Sequence, residues 1–126
     1  MSDEKIRVAY VEDEPSIAKL LSSGLGLFGI EVNPIFMSAE QLLENLDNGG
    51  FNGVDMFMFD IRLPRMTGLE LAKQLRAKGE QRPFVLVSAW PSPSKDELQA
   101  IKASFLPKPF DFSDVVKTIQ QLALNK

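Results

Sequence analysis

Five polar residues in this sequence follow closely on apolar runs. Glu12 and Asp13 come after Ile6 to Val11, Asp60 after Met56 to Phe59, Ser88 after Phe84 to Val87, and Lys108 just after Phe105-Leu106. Carboxylates gathered in one place repel and raise one another's pKa unless a cation sits among them. The chain has no cysteine and no histidine. A zinc site is therefore improbable, and a Ser-His-Asp or Cys-His nucleophile is excluded. Any metal must be held by oxygen, which favours magnesium, manganese or calcium, and Mg²⁺ needs few carboxylates because it keeps several waters. Carboxylates, a divalent ion, an ammonium and a hydroxyl together suit phosphoryl transfer, where positioning and charge neutralisation dominate. A carboxylate can itself be the acceptor. Asp60 is the best candidate, with Lys108 and Ser88 to contact the phosphoryl oxygens. Taken singly, each residue has a plainer reading: helix-start charges for Glu12, Asp13 and Glu14, turn residues for Ser88 and Asp60, a solvated lysine for Lys108.

The elements between these residues decide whether they meet. Ile6 to Val11 reads as a buried strand, and Pro15 suits the first turn of a helix, where no amide bond is lost. Ile17, Leu20, Leu21, Leu25 and Phe28 recur at helical spacing, with Gly29 as a stop and Ile30 to Phe36 as a second strand. Ser38 to Gln41 fits a capping box ahead of Leu42, Leu43 and Leu46, and Asp47 to Gly53 is a loop by composition. Met56 to Phe59 is almost wholly apolar, as a central strand covered on both faces would be. Thr67 to Glu70 is a second capping box, opening a helix with Leu69, Leu71, Ala72 and Leu75. Phe84 to Val87 is a fourth strand, Asp96 to Ala103 a short helix, Phe105-Leu106 a short fifth strand, and Ser113 to Leu124 a last amphipathic helix.

Strand and helix alternate throughout, which predicts an α/β fold: an open, mostly parallel sheet with helices on both faces. In such sheets functional groups gather at the carboxyl ends of the strands, beside the point where strand order reverses. All five polar residues stand at those ends.

The 126 residues, 44% hydrophobic and 25% charged, suit one soluble domain. No stretch approaches the roughly 20 apolar residues of a membrane span, and the N-terminus lacks a secretory pattern, so a cytoplasmic location and no membrane partner are expected. A net charge of −3 argues against direct nucleic-acid binding. Gly24-Leu25-Gly26-Leu27-Phe28-Gly29 matches the dinucleotide glycine pattern, but those glycines end a helix, whereas the strand-to-helix turn carries Glu12-Asp13-Glu14, which would repel phosphates.

The segment Asp60-Ile61-Arg62-Leu63-Pro64-Arg65-Met66-Thr67-Gly68 resembles the phosphorylation-site segment of bacterial response-regulator receiver domains. Val11-Glu12-Asp13-Glu14-Pro15 resembles their acidic pair, Val87-Ser88-Ala89 their hydroxyl site, and Leu106-Pro107-Lys108-Pro109-Phe110 their lysine segment. The four motifs stand in the family's order and spacing over almost the whole chain. The resemblance implies a flavodoxin-like five-stranded parallel sheet, (βα)5, in order 2-1-3-4-5, forming a single receiver domain over 1–126 with no effector domain in the chain. It implies that Asp60 takes a phosphoryl group from a histidine kinase or histidine phosphotransfer protein, catalysing its own phosphorylation and dephosphorylation but acting primarily as a signalling module. Mg²⁺ (or Mn²⁺) would be bound by Asp13, Asp60 and the carbonyl of Arg62, with Glu12 acting mainly through water. Lys108-Pro109 resembles the family's cis peptide, and Ala89 its small residue beside the phosphoryl group.

Ser88 and Phe105 match the residues that move together on phosphorylation, a two-state element biased by new charge-assisted bonds; the alternative for Phe105 is a permanently buried core ring. The output surface implied is the fourth helix, fifth strand and fifth helix, for a second copy or a downstream effector. Trp90-Pro91-Ser92-Pro93-Ser94 departs from the family, and its prolines disfavour an early start to the fourth helix. Trp90 and Arg62 stand where the family shapes water access, so Trp90 is expected to slow hydrolysis of phospho-Asp60. Two other readings are an interaction module with a vestigial site, which the intact Asp13, Asp60, Ser88 and Lys108 oppose, and an aspartyl-phosphate phosphatase, whose second acid is replaced by Arg62.

Overall fold

The computed structural model describes residues 5–47, 51–88, 93–108 and 111–124. Five strands alternate with five helices: β1 (Ile6–Val11), α1 (Pro15–Gly26), β2 (Ile30–Phe36), α2 (Ala39–Asp47), β3 (Met56–Asp60), α3 (Gly68–Ala77), β4 (Phe84–Ser88), α4 (Lys95–Ile101), β5 (Ala103–Pro107) and α5 (Phe112–Leu124). The strands form one parallel sheet in the order β2-β1-β3-β4-β5. This is the doubly wound α/β architecture expected from the alternation.

Two apolar layers hold it. Strand residues alternate between faces, so Ala9, Val11, Phe57, Phe59, Phe84 and Leu86 meet Leu42 of α2, Leu71 and Leu75 of α3 and Ile101 of α4. Val8, Tyr10, Met56, Met58, Val85 and Val87 face the other way, onto Ala18, Leu21 and Leu25 of α1 and Val115 and Ile119 of α5. Every residue of β3 and β4 is buried, which is why those segments are apolar throughout rather than alternating.

Some boundaries differ from the sequence expectations. Helix α1 stops at Gly26, and Gly29 (φ 78°) shapes the turn beyond it. Phe28 therefore falls outside the helix, and both it and Leu20 are exposed instead of sharing the buried face of Leu21 and Leu25. Helix α4 is shorter than Asp96 to Ala103: Lys102 adopts a left-handed conformation (φ 53°) that ends it, and Ala103 begins β5. Its start is set by Ser94, whose Oγ accepts from the Glu97 amide while Glu97 returns the bond to the Ser94 amide. That is a complete capping box, not expected from the sequence, and it places the helix start just after Pro93.

The box at α3 closes as expected, with the Glu70 amide on Thr67 Oγ1 at 3.1 Å and the Thr67 amide on Glu70 Oε1 at 2.9 Å. At α2 the Gln41 amide bonds Ser38 Oγ, but the Gln41 side chain accepts from Met37 rather than from Ser38. Thr67→Ala leaves the α3 amide without its side-chain partner and is expected to lower stability by about 1 kcal/mol, read as a shift of the urea midpoint at unchanged slope.

Candidate functional site

Because all strands run the same way, their carboxyl ends lie along one edge of the sheet. Register aligns them: Val11 pairs with Phe59, Asp60 with Val87, and Ser88 with Pro107. Backbone bonds carry the ladder past the strand ends, from the Glu12 amide to Phe36 O, from Ile61 to Val87 O and from Lys108 to Ser88 O, each 2.9 Å. Glu12, Asp60, Ser88 and Lys108 are thus placed by backbone pairing, with Asp13 next in the chain after Glu12.

The side chains meet. Lys108 Nζ lies 3.1 Å from Asp60 Oδ2 and 3.6 Å from Glu12 Oε1. Asp60 Oδ1 accepts from the Arg62 amide at 3.0 Å, so both carboxylate oxygens have a donor. Among the described residues, Glu12, Asp13 and Asp60 form an acidic group whose ligand atoms all lie within 4.8 Å of one another. Glu12, Asp60 and Ser88 are buried, whereas Asp13 is partly exposed. From Asp13 a groove of about 520 Å³ opens across Ile61, Arg62, Leu63 and Pro64 to Thr67 and Leu69. The site is therefore closed behind the carboxylates and open on the Asp13 side.

Electrostatically the site lacks positive charge. Burial pushes the Glu12 carboxyl above its usual range, and the neighbouring Asp60 charge adds to this; the Tyr10 hydroxyl, Lys108 and the Glu14 amide act against it. Among the described residues, the Lys108 ammonium contacts two of the three carboxylates, Glu12 and Asp60. An oxygen-ligated divalent ion fits such a group on its donor chemistry, since every candidate ligand is a hard oxygen and no nitrogen or sulfur ligand is present.

The space behind Asp60 is also constrained. Gly68, first residue of α3, donates its amide to Ile61 O at 3.0 Å and packs against the Asp60 backbone. Phe105 is half-buried and packs on the phenylalanine-rich layer. Arg62 reaches Asp60 through its amide.

A family model for the response regulator receiver domain matches residues 8–120. The chain belongs to that family. Receiver relatives include the response regulator MprA of Mycobacterium tuberculosis, 29% identical over 119 residues, covering 93% of this chain and 50% of MprA. The chain spans about half the length of the curated relatives it matches. Among solved receivers, response regulator TrrA from Thermotoga maritima, in complex with Mg²⁺-BeF, has a TM-score of 0.79 at 27% identity over 93% of this chain and 98% of that one. A CheY-like receiver from Methylobacillus flagellatus has the same TM-score at 27% identity, covering 94% and 98%. The receiver domain of the Francisella response regulator 1452 reaches 0.84 at 22% identity, covering 96% and 98%, a likeness of fold. Phosphorylation and Mg²⁺ binding at an acidic pocket are general features of receivers.

Of the residues expected to act here, Glu12, Asp13, Asp60 and Lys108 lie together with the Arg62 amide, Ser88 is buried at the end of β4, and Phe105 packs on the phenylalanine-rich layer. Ala89, Trp90 and Pro109 lie outside the described residues, and with them the small residue beside the site, the shielding role of Trp90 and the Lys108-Pro109 peptide. Tyr10, from sequence simply a residue of the first strand, also belongs to the site. Its hydroxyl donates to Glu12 Oε1 at 2.8 Å. The signal was present: two residues apart at a strand end, Tyr10 and Glu12 share a face.

Proposed function

We propose that Asp60 is the phosphoryl acceptor of this receiver, taking the group from a phosphohistidine of a histidine kinase or histidine phosphotransfer protein. An Asp60 carboxylate oxygen bonds to phosphorus as the P–N bond to the donor imidazole breaks, leaving an aspartyl phosphate and a free histidine. What supports this reading is the contact of Lys108 Nζ with Asp60 Oδ2 at 3.1 Å beside the acidic group. Lys108 and the Arg62 amide hold the acceptor carboxylate in one orientation. After transfer, Lys108 stays with the new negative charge, and Ser88 donates to a phosphoryl oxygen.

Asp13, Asp60 and the Arg62 carbonyl would hold Mg²⁺ (or Mn²⁺), with Glu12 acting through water. When bound, the ion neutralises charge on the phosphoryl oxygens. Ser88 and Phe105 would relay the phosphorylated state to the α4–β5–α5 surface, for a second copy or a downstream effector, in a cytoplasmic protein. No helix among the described residues is long and apolar enough to cross a membrane.

The test is incubation with Mg²⁺ and acetyl phosphate or phosphoramidate, followed by intact mass. The wild type is expected to gain one hydroxylamine-labile phosphoryl group and Asp60→Asn none. An unchanged gain in Asp60→Asn would place the acceptor elsewhere, and no gain in the wild type with any donor would leave the chain an interaction module.

A further inference from the structure

Tyr10 is fully buried in β1, on the face covered by α1 and α5. For packing there a phenylalanine would serve as well, since the neighbours in that layer are Val8, Met58, Val87 and Leu106. A phenolic hydroxyl in such surroundings loses its water and must find a partner within the protein. It has one, Glu12 Oε1 at 2.8 Å, and Glu12 is itself fully buried.

The bond settles where Glu12 points. Oε1 takes the Tyr10 hydroxyl and faces Lys108 Nζ at 3.6 Å, and Oε2 takes the Glu14 amide at 3.2 Å. Both oxygens are thus held by donors of this chain. The longer side chain of glutamate, compared with aspartate, has more rotamers to choose from, and the tyrosine restricts them.

We propose that Tyr10 is a positioning residue of the acidic site, whose hydroxyl holds Glu12 in place so that the site takes up a divalent cation. The inference rests on the metal-dependent reading above and adds to it a residue lying in the core layer behind the acids. Groups that orient metal-site carboxylates from behind typically matter to metal affinity by about 10–100-fold.

The experiment is a Mn²⁺ and Mg²⁺ titration by calorimetry of wild type, Tyr10→Phe, Glu12→Gln and the double variant, with metal-free stability recorded for each. Tyr10→Phe removes one hydroxyl and keeps the ring, so it is expected to fold and to bind metal about ten-fold more weakly. In acetyl phosphate kinetics the loss is expected as a raised metal requirement, with kcat at saturating metal largely retained. In the Glu12→Gln background, removing the hydroxyl is expected to have little further effect, because the two residues act as a unit. A wild-type affinity in Tyr10→Phe would overturn the proposal while leaving the site reading intact. An equal loss in both backgrounds would overturn it too, by showing that the hydroxyl acts through another group. A wild type that binds neither ion would remove both this proposal and the metal-dependent reading.

Discussion

Gly68→Ala is expected to destabilise the protein by about 1–3 kcal/mol and to slow phosphorylation of Asp60 by roughly ten- to a hundred-fold. The residue has no positive φ among the chain's special backbone positions, so its conformational freedom is not the reason. Space is. A Cβ built on Gly68 would overlap the carbonyl oxygen of Asp60 and lie 2.9 Å from its carbonyl carbon and 3.1 Å from the Ile61 Cα. These are backbone atoms of a buried strand end, with no flexible tip to swing aside. Either the first turn of α3 retreats, breaking the Gly68 amide bond to Ile61 O, or the Asp60–Ile61 peptide rotates against its bond to Val87. The second movement turns the Asp60 carboxylate away from Lys108. Denaturant unfolding reads the first effect and time-resolved intact mass with acetyl phosphate the second. A variant with full stability and a wild-type phosphorylation rate would show that α3 moves at no cost, and that its close approach does not position Asp60.

Phe57→Ala is expected to cost about 3–5 kcal/mol, out of a total that for domains of this kind is about 5–15 kcal/mol. Phe57 is completely buried in β3. Its ring lies 5.5 Å from that of Phe51 and 5.8 Å from that of Phe84, both edge-to-face, and 6.0 Å from that of Phe59. The Arg82 guanidinium sits 5.0 Å from its centroid, anchored by Glu80 and by the carbonyls of Phe51 and Val54. Deleting the ring removes transfer energy and leaves a void that β3, hydrogen-bonded on both sides, cannot collapse into. The urea midpoint should fall with little change in slope. A loss below about 2 kcal/mol would mean that Phe51 or Phe84 fills the gap. Because Phe57 lies on the layer facing α2, α3 and α4, away from Tyr10 and Glu12, the folded fraction should still accept phosphate.

Most of the residues that gather at the strand ends are legible in the sequence. Asp60, Ser88, Glu12 and Lys108 announce themselves as polar residues at the ends of apolar runs, and an α/β order sends such ends to one edge of the sheet. The α3 cap was equally plain, because the capping box is a local pattern. The α4 cap is just as local a pattern, Ser94 with Glu97 three residues on, although the prolines before it point only to a late helix start. Periodicity misplaced Phe28, because helical spacing does not say where the helix stops, and Leu20, which lies within α1 but outside its buried stripe of Ala18, Leu21 and Leu25. Ala103 was assigned to a helix that Lys102 ends through a left-handed backbone, a conformation with no strong residue signature outside glycine and asparagine.

Tyr10 marks the boundary between the two kinds of knowledge. By itself the sequence determined the alternating elements, the hard-oxygen chemistry of any metal and the identity of the residues at the strand ends, because these follow from residue type and short-range spacing. Only the tertiary structure decided that Lys108 reaches Asp60 from 48 positions along the sequence, that Gly68 presses on the Asp60 backbone, and that the Tyr10 hydroxyl faces Glu12. Those contacts join strands and helices whose packing is set by the burial of both sheet faces at once, and distances of a few ångströms between side chains are consequences of that packing.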